Sequence, residues 1–576
     1  MTLPYLHALA FLIFLVSTVI DLNSSMLKKN NLTVGIYGIA DIERRSYPVF
    51  THDHNISVFC NGRLLHYIQL ERITRRKYDN RLDEYLYMLL KTNDILKEDM
   101  PTMVFVDNVA GRSFCSFQGD IRFEAPISNE LLSHEEVGIL RWLGTEGKGY
   151  VISHELAHLF SCIPFYGSFK DNSLLIHFDG GASKSNFSVW KHMHGKIQLL
   201  DYHWDLKWLT EIFNTNPLSF AFTGGNIKNQ NGVPGKLMGL AAYGNYREEI
   251  EAWLQDNQFF STNWGKTKIM VEKINADWNL SLKNLHPKSE FLQDVASTMH
   301  QIFIRETLKI IREWKNRTET QFLYFSGGSA LNICLNKALI SSGMFDEIFV
   351  PPCANDSGLS IGAGAYMEMK KNNTIQLISP YHQNWKIKGY QVKIIDEQIR
   401  QTASVIKEGN VVAICNGSAE IGPRALGNRS IVARPDKPVI SEKISVQMKK
   451  REWYRPVAPV MLEKNAIYFT KVNQFSKISK FMLTEFFIHP EMRNELKGAV
   501  HVDGTARIQV LFSENDNPYL WKLLNVLDQE FGIRALINTS FNRAGEPLVH
   551  TKEEAISTAI KMGIKHVVMN GELHHL

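Results

Sequence analysis

Short apolar runs alternate with amphipathic stretches from residue 32 onward, and this alternation constrains the fold more than any other feature of the chain. Runs at 34–37, 57–59, 103–106, 174–178 and 322–325 are rich in Val, Ile, Leu, Phe and Met, which predicts short buried strands. Helical periodicity follows several of them, notably over 290–314 and 330–341. Strands interleaved with helices define an α/β architecture. A chain of 576 residues is too long for one hydrophobic core, so two or more domains are expected. The stretch from about 371 to 388 has no clear periodicity and marks a boundary. The expected organisation is a leader over 1–25, a first domain over 26–375, a linker over 376–394, and a second α/β domain over 395–576 that opens with Val-Val-Ala-Ile at 411–414.

Hydrophobic content of 44% and charged content of 21% suit a folded globular protein. A net charge of +5 is mild and dispersed. It suits anionic small molecules and lacks the concentrated basic stripe that nucleic-acid binding needs. The six cysteines lie far apart with no CxxC pair, which argues against a disulfide framework or zinc ribbon and for a reducing, cytoplasmic location. Residues 3–20 are nearly all apolar and carry no Lys or Arg, but lack a basic n-region and an obvious cleavage site. The expectation is that translation begins at Met26 and that 1–25 is an extension. An N-terminal membrane anchor is the competing reading, with a marginal length for spanning.

His154-Glu-Leu-Ala-His158 places two imidazoles at i and i+4 on one helix face, within reach of one metal. The same five residues match HExxH, the zinc-peptidase pattern in which the glutamate is general base. Two helix histidines that simply pack are the bland alternative. Asp179 closes the strand-like run at 174–178 and is followed by Gly180-Gly181. Asp356 lies between a strand-like run at 348–350 and a Gly/Ala-rich helix. Two glycine-bearing segments have the character of phosphate-binding turns: 324–332, with Gly327, Gly328, Ser329 and Asn332, and 235–244, with Lys236.

Residues 420–430 read Glu-Ile-Gly-Pro-Arg-Ala-Leu-Gly-Asn-Arg-Ser, with Arg424 and Arg429 five positions apart among glycines. Guanidinium forks match phosphate oxygens in pairs, so this loop is suited to an anion. Further strings follow: Lys-Lys-Arg-Glu-Trp-Tyr-Arg-Pro at 449–456, His-Val-Asp-Gly-Thr-Ala-Arg at 501–507, and Asn-Thr-Ser-Phe-Asn at 538–542.

The 420–430 string resembles the GPRALG signature of the carbamoyltransferases grouped around nodulation protein U and the cephem carbamoyltransferases. The segments at 235–244, 449–456, 501–507 and 538–542 resemble further motifs of that family. So does the series His52-Asp53, Asn61-Gly62 and Glu-Arg-Ile-Thr-Arg-Arg-Lys at 71–77. The resemblance spans about residues 32–576. It implies an actin-like ATPase domain (duplicated ribonuclease-H-like, of the threonylcarbamoyl-transfer type) followed by a YrdC-like α/β domain. It implies metal ligands His154, His158, Asp179 and Asp356, with Glu155 left on the helix surface. Two nitrogens and two carboxylates suit Fe(II), the favoured ion, or Zn(II). It implies nucleotide contacts at Lys236, Gly327, Gly328, Ser329 and Asn332, and an acceptor-binding or basic role for His52 or Asp53. Carbamoyl phosphate and its adenylate would be held by Arg424, Arg429, Lys449, Arg451, Arg455, Arg507, Asn538, Ser540 and Asn542. Two departures stand out. Ala182 occupies a position where the family carries an acidic residue, and Ser418 replaces a usual arginine, leaving the pocket one cation short.

The activity implied is O-carbamoyl transfer from carbamoyl phosphate, through an ATP- and Mg-dependent carbamoyladenylate, to a hydroxyl of a sugar, antibiotic or other small molecule. No nucleic-acid or membrane partner is expected, and the oligomeric state, monomer or homodimer, stays open. The rival readings are a tRNA threonylcarbamoylation enzyme, a zinc peptidase resting on HELAH alone, and a non-catalytic ligand sensor.

Overall fold

The computed structural model describes residues 32–40, 51–97, 100–261, 267–387 and 390–576. The apolar leader and the expected start at Met26 lie outside the described residues. All five strand-like runs are strands, each extended by one to three residues, and the long helical pattern is the helix Glu290–Thr318.

The first part of the chain contains the same five-strand unit twice. In the first sheet the order is Arg63–Gln69, Asn55–Cys60, Leu32–Tyr37, Thr102–Val106, Thr145–Ile152. The first three are antiparallel and the last two join in parallel. In the second sheet the order is Lys196–His203, Phe187–Met193, Ser173–Phe178, Phe322–Ser326, Glu347–Phe349, with the same senses. This repeated order and polarity is the duplicated topology of the actin-like ATPase fold. A meander of Phe114–Cys115, Ile121–Glu124 and Glu136–Trp142 widens the first sheet to eight strands.

Each unit sends a helix from its last strand toward the other unit: His154–Phe160 from the first and Leu359–Lys370 from the second. The two lie unusually close. A Cβ on Gly362 would stand 1.8 Å from the carbonyl oxygen of Ala157, so only glycine permits the approach. The Gly/Ala-rich composition read from sequence therefore has a packing cause. It brings Asp356, just before the second helix, against the two histidines of the first.

The second domain is built on a seven-stranded mixed sheet in the order Gln509–Leu511, Ala458–Leu462, Leu536–Ser540, Arg429–Ala433, Val412–Cys415, His566–Met569, Glu572–His575. Alternation along Val412–Cys415 shows why it is sandwiched. Val412 and Ile414 pack with Ile399, Ala403, Leu520 and Leu523 of two covering helices, while Ala413 and Cys415 pack with Ala555 and Ala559 on the opposite face.

The expected linker at 376–394 is largely a packed strap, not a loose tether. Trp385 is fully buried in the core of the first sheet, and Asn384 accepts from the Tyr67 amide and donates to the Leu65 carbonyl. Gln383 bridges Ala419 and donates to the carbonyl of Glu420 in the second domain. The segment lacks periodicity because its hydrogen bonds go to two domains and to no helix or sheet of its own. Ile421, Leu426, Tyr454, Phe481 and Met482 of the second domain extend the first domain's core across the junction. Among the described residues no helix is long and apolar enough to cross a membrane.

Candidate active site

One cavity of about 870 Å³ lies between the domains. Its walls include Asp179 and Asp356 at one end and Arg424, Lys449, Arg451, Arg455 and Arg507 at the other.

At the first end, His154, His158, Asp179 and Asp356 offer ligand atoms that all lie within 4.8 Å of one another. The two Nε2 atoms are 3.1 Å apart, and each is 3.5 Å from Asp356 Oδ1, with Asp179 Oδ2 3.6 Å from His158. Ser153 caps the helix by accepting from the Leu156 amide, which sets the register that puts both imidazoles on one face. Two acceptor-capable nitrogens and two carboxylates meeting in this way could hold a divalent cation. Supporting contacts hold them. Asp179 accepts from the amides of Gly180 and Gly328, and Asp356 Oδ2 accepts from the Tyr37 hydroxyl at 2.8 Å. Burial alone would raise the Asp356 carboxyl, but His52 and His154 hold it well below the usual range.

Tyr37 and the buried His177, whose ring stacks on His158 with centroids 5.1 Å apart, were not read from the sequence. A tyrosine or histidine inside an apolar strand carries no motif, so no local signal points to either. Burial drives the His177 imidazole well below its ordinary value, so it is neutral.

Glu155 is fully buried, not on the helix surface as expected. Its Oε1 accepts from the amides of Lys184 and Ser185 and from the Ser185 hydroxyl, which fixes the loop after Asp179. A carboxylate tied down in this way is a strut, and it removes the basis for the peptidase reading of HELAH. Ala182 is buried within the same loop, and Ser183 donates to Asp107.

His52 and Asp53 adjoin the tetrad. His52 Nδ1 lies 3.0 Å from Asp53 Oδ2 and 3.8 Å from Asp356 Oδ2. Burial would lower the imidazole, but Asp356 and Asp53 outweigh it and push it up to about 9. Asp53 adopts a left-handed φ of 57°, unusual for a non-glycine residue, and accepts from Gln69 and Asn355.

The opposite end gathers cations. Arg424, Lys449, Arg451 and Arg507 have no carboxylate partner among the described residues, and Nε of both Arg424 and Arg507 has no partner at all. Loss of solvent and mutual repulsion lower all four, Arg424 to about 10 and Arg451 to about 9. Like charges held together without counterions describe a site completed by an anion. Lys449 follows a π-helical turn over Lys443–Met448, donates to Asn542 Oδ1 at 2.8 Å and reaches Ser540 Oγ at 3.1 Å, which joins the 449–456 and 538–542 strings. Asn538 is fixed by Gln509 and lines the same wall with its Oδ1 unpartnered. Arg455 shares Glu452 with Lys236 of the first domain, an ion pair of 2.7 Å for the lysine.

Two further expectations are corrected. Arg429 does not line the cavity. Its guanidinium is fully buried and donates to the carbonyls of Asn416, Gly417, Asn428 and His550, so it is a structural clamp. Gly327 is also away from the lining: with φ of 99° and a would-be Cβ 2.3 Å from the Phe178 carbonyl, it serves the turn. Gly328, Ser329 and Asn332 do line the cavity, Asn332 capping its helix and bonding His300. Ser418 lies outside the cavity lining.

The 71–77 segment does more than its resemblance suggested. Arg75 donates to the carbonyls of Leu548 and Pro547 at 2.6 and 2.9 Å, and Arg72 reaches the Gly422 carbonyl, which fastens the first domain to the second.

The N-terminal model of the carbamoyltransferases matches residues 146–365 and the C-terminal model matches residues 403–575. Relatives include nodulation protein NolNO of Sinorhizobium fredii, 26% identical and covering 93% of this chain and 81% of that one. Nodulation protein U of Azorhizobium caulinodans is 25% identical, covering 86% and 92%. The 3'-hydroxymethylcephem-O-carbamoyltransferase of Amycolatopsis lactamdurans is 24% identical, covering 90% and 96%. The chain belongs to the carbamoyltransferase family and is an enzyme of carbamoyl transfer.

Proposed function

We propose that the protein is an O-carbamoyltransferase that uses carbamoyl phosphate and ATP and delivers the carbamoyl group to a hydroxyl of a small-molecule acceptor. The observation that carries this reading is the single cavity with uncompensated cations at one end and the metal-ligand tetrad at the other. A doubly anionic acyl phosphate is the donor class that four cations without carboxylate partners suit, and a nucleotide adds further phosphates to hold.

At the cation end, hydrolysis of carbamoyl phosphate at its mixed anhydride releases orthophosphate and leaves carbamate. A carbamate oxygen then attacks the α-phosphorus of ATP, the bond to pyrophosphate breaks, and carbamoyladenylate forms. Arg424, Lys449, Arg451 and Arg507 bind and orient these anions and offset charge as it develops. The acceptor hydroxyl attacks the carbonyl carbon of the adenylate, the bond to the AMP oxygen breaks, and the hydroxyl proton passes to a base. Asp53, whose Oδ2 lies 3.0 Å from His52 Nδ1, is the carboxylate placed for that proton, while His52, held as the imidazolium by Asp356 and Asp53, orients it and binds the acceptor. His154, His158, Asp179 and Asp356 would hold a divalent cation, which supplies Lewis acidity when bound. Gly328, Ser329, Asn332 and Lys236 line the wall on which the nucleotide would rest.

The deciding experiment is exchange of labelled pyrophosphate into ATP. The purified protein should catalyse it only with carbamoyl phosphate present, and exchange that ignores carbamoyl phosphate would refute the donor assignment.

A further inference from the structure

A second cavity of about 470 Å³ adjoins the cation end of the first. Its lining includes Lys443, Lys450, Arg543 and Lys561, and no carboxylate. Lys450, Arg543 and Ala544 line both cavities, so the wall between them is one lysine and a short exposed turn. Lys443, Lys450 and Lys561 have no ion-pair partner among the described residues, while Arg543 reaches Glu546 at 3.3 Å.

The backbone builds this arrangement on purpose-like geometry at adjacent residues. The π-helical turn over Lys443–Met448 ends at Lys449, which is buried and faces Ser540 and Asn542 in the inner site. Lys450 then takes a left-handed φ of 50° and turns outward to the shared wall. Consecutive lysines thus serve an inner and an outer chamber. Lys443 opens the same π-helical turn and lines the outer chamber with Lys561.

We infer that this outer chamber is a binding station for small phosphate dianions on their way to and from the inner cation site. The inference rests on the proposed use of carbamoyl phosphate. The physical basis is that several cations with no competing carboxylate raise the local concentration of an anion, and act over roughly a Debye length, about 10 Å at 0.1 M salt. What the station reads is the phosphate group, common to entering carbamoyl phosphate and departing orthophosphate.

The test is the double variant Lys443→Gln, Lys561→Gln in the full chain, neither residue being part of the inner site. Carbamoyl-phosphate-dependent exchange is measured across ionic strength. Expected is a drop of about 3- to 10-fold in kcat/KM for carbamoyl phosphate at low salt, with kcat within twofold, and a gap that closes near 1 M salt, where the Debye length is about 3 Å. Inhibition by orthophosphate should weaken by the same factor. An unchanged kcat/KM at low salt overturns the station, as does a loss that salt does not reduce. A loss confined to carbamoyl phosphate overturns the reading of phosphate as the common feature. Absence of exchange in the wild-type protein would instead strike the proposed function. The station would then be judged by calorimetry with orthophosphate alone, where equal affinity of wild type and variant rejects it.

Discussion

The two ends of the central cavity assemble charge in opposite ways. At the metal-ligand end, carboxylates and imidazoles offset one another: Asp356 is within 3.5 Å of two histidine nitrogens and accepts from a tyrosine. At the cation end, no carboxylate pairs with Arg424, Lys449, Arg451 or Arg507 among the described residues, and loss of solvent and mutual repulsion make each of them give up its proton more readily. The first end is close to electrically complete. The second is incomplete, and its missing component is an anion. This difference supports placing the proposed donor at one end and the proposed transfer at the other.

The largest effect should come from the incomplete end. Arg424→Met or Arg507→Met is expected to lower carbamoyl-phosphate-dependent exchange by about 10³-fold or more. Because each removes a repelling charge, thermal unfolding should show no loss of stability. A variant that unfolds early while keeping exchange would reverse the comparison. His158→Ala should abolish acceptor carbamoylation and bound metal, measured by elemental analysis, while leaving exchange within a few-fold of wild type. Loss of both activities together would show that the ends are not separable.

Arg429→Ala sharpens the contrast between a cation that waits for a ligand and one that is already satisfied. It strands several buried carbonyls, so a destabilisation of about 3 kcal/mol or more is expected in denaturant unfolding. Selective loss of donor affinity with full stability would return Arg429 to the pocket.

The smallest effect concerns pH. Arg451 and Arg424 lose their protons at about 9 and about 10 in the folded state, below the range above 12 expected of an unfolded chain. Above those values the unfolded chain binds more protons, so their contribution to stability rises as pH climbs through 9 to 10. Below that window an anion relieves the repulsion. Orthophosphate should therefore raise Tm most at pH 7 to 8 and progressively less above pH 9. A phosphate effect independent of pH would place the anion elsewhere.

The strands at 32–37, 102–106, 173–178 and 322–326 were legible because both faces of each are covered, which leaves unbroken apolar runs. The tetrad was legible through the i, i+4 histidines together with the family motifs. Arg429 misled because an arginine that caps carbonyls and one that awaits phosphate look identical in a glycine-bearing string. Glu155 misled for a related reason: a helix position next to a metal ligand gives no sign of whether a loop will close over it. Tyr37 and His177 left no trace, since Tyr37 meets Asp356, 319 residues further along the chain, and His177 meets His158 only once its strand packs on the helix.

Sequence by itself determined the alternation of strands and helices, the paired histidines, and the supply of arginines and lysines in glycine-bearing strings, because these depend on local periodicity and side-chain chemistry. Only the tertiary structure decided which cations remain unpaired, which carboxylate is a strut, and that both chemistries open onto one cavity. Those outcomes depend on long-range packing, such as the approach of Gly362 to Ala157, and on which polar groups find partners once solvent is excluded.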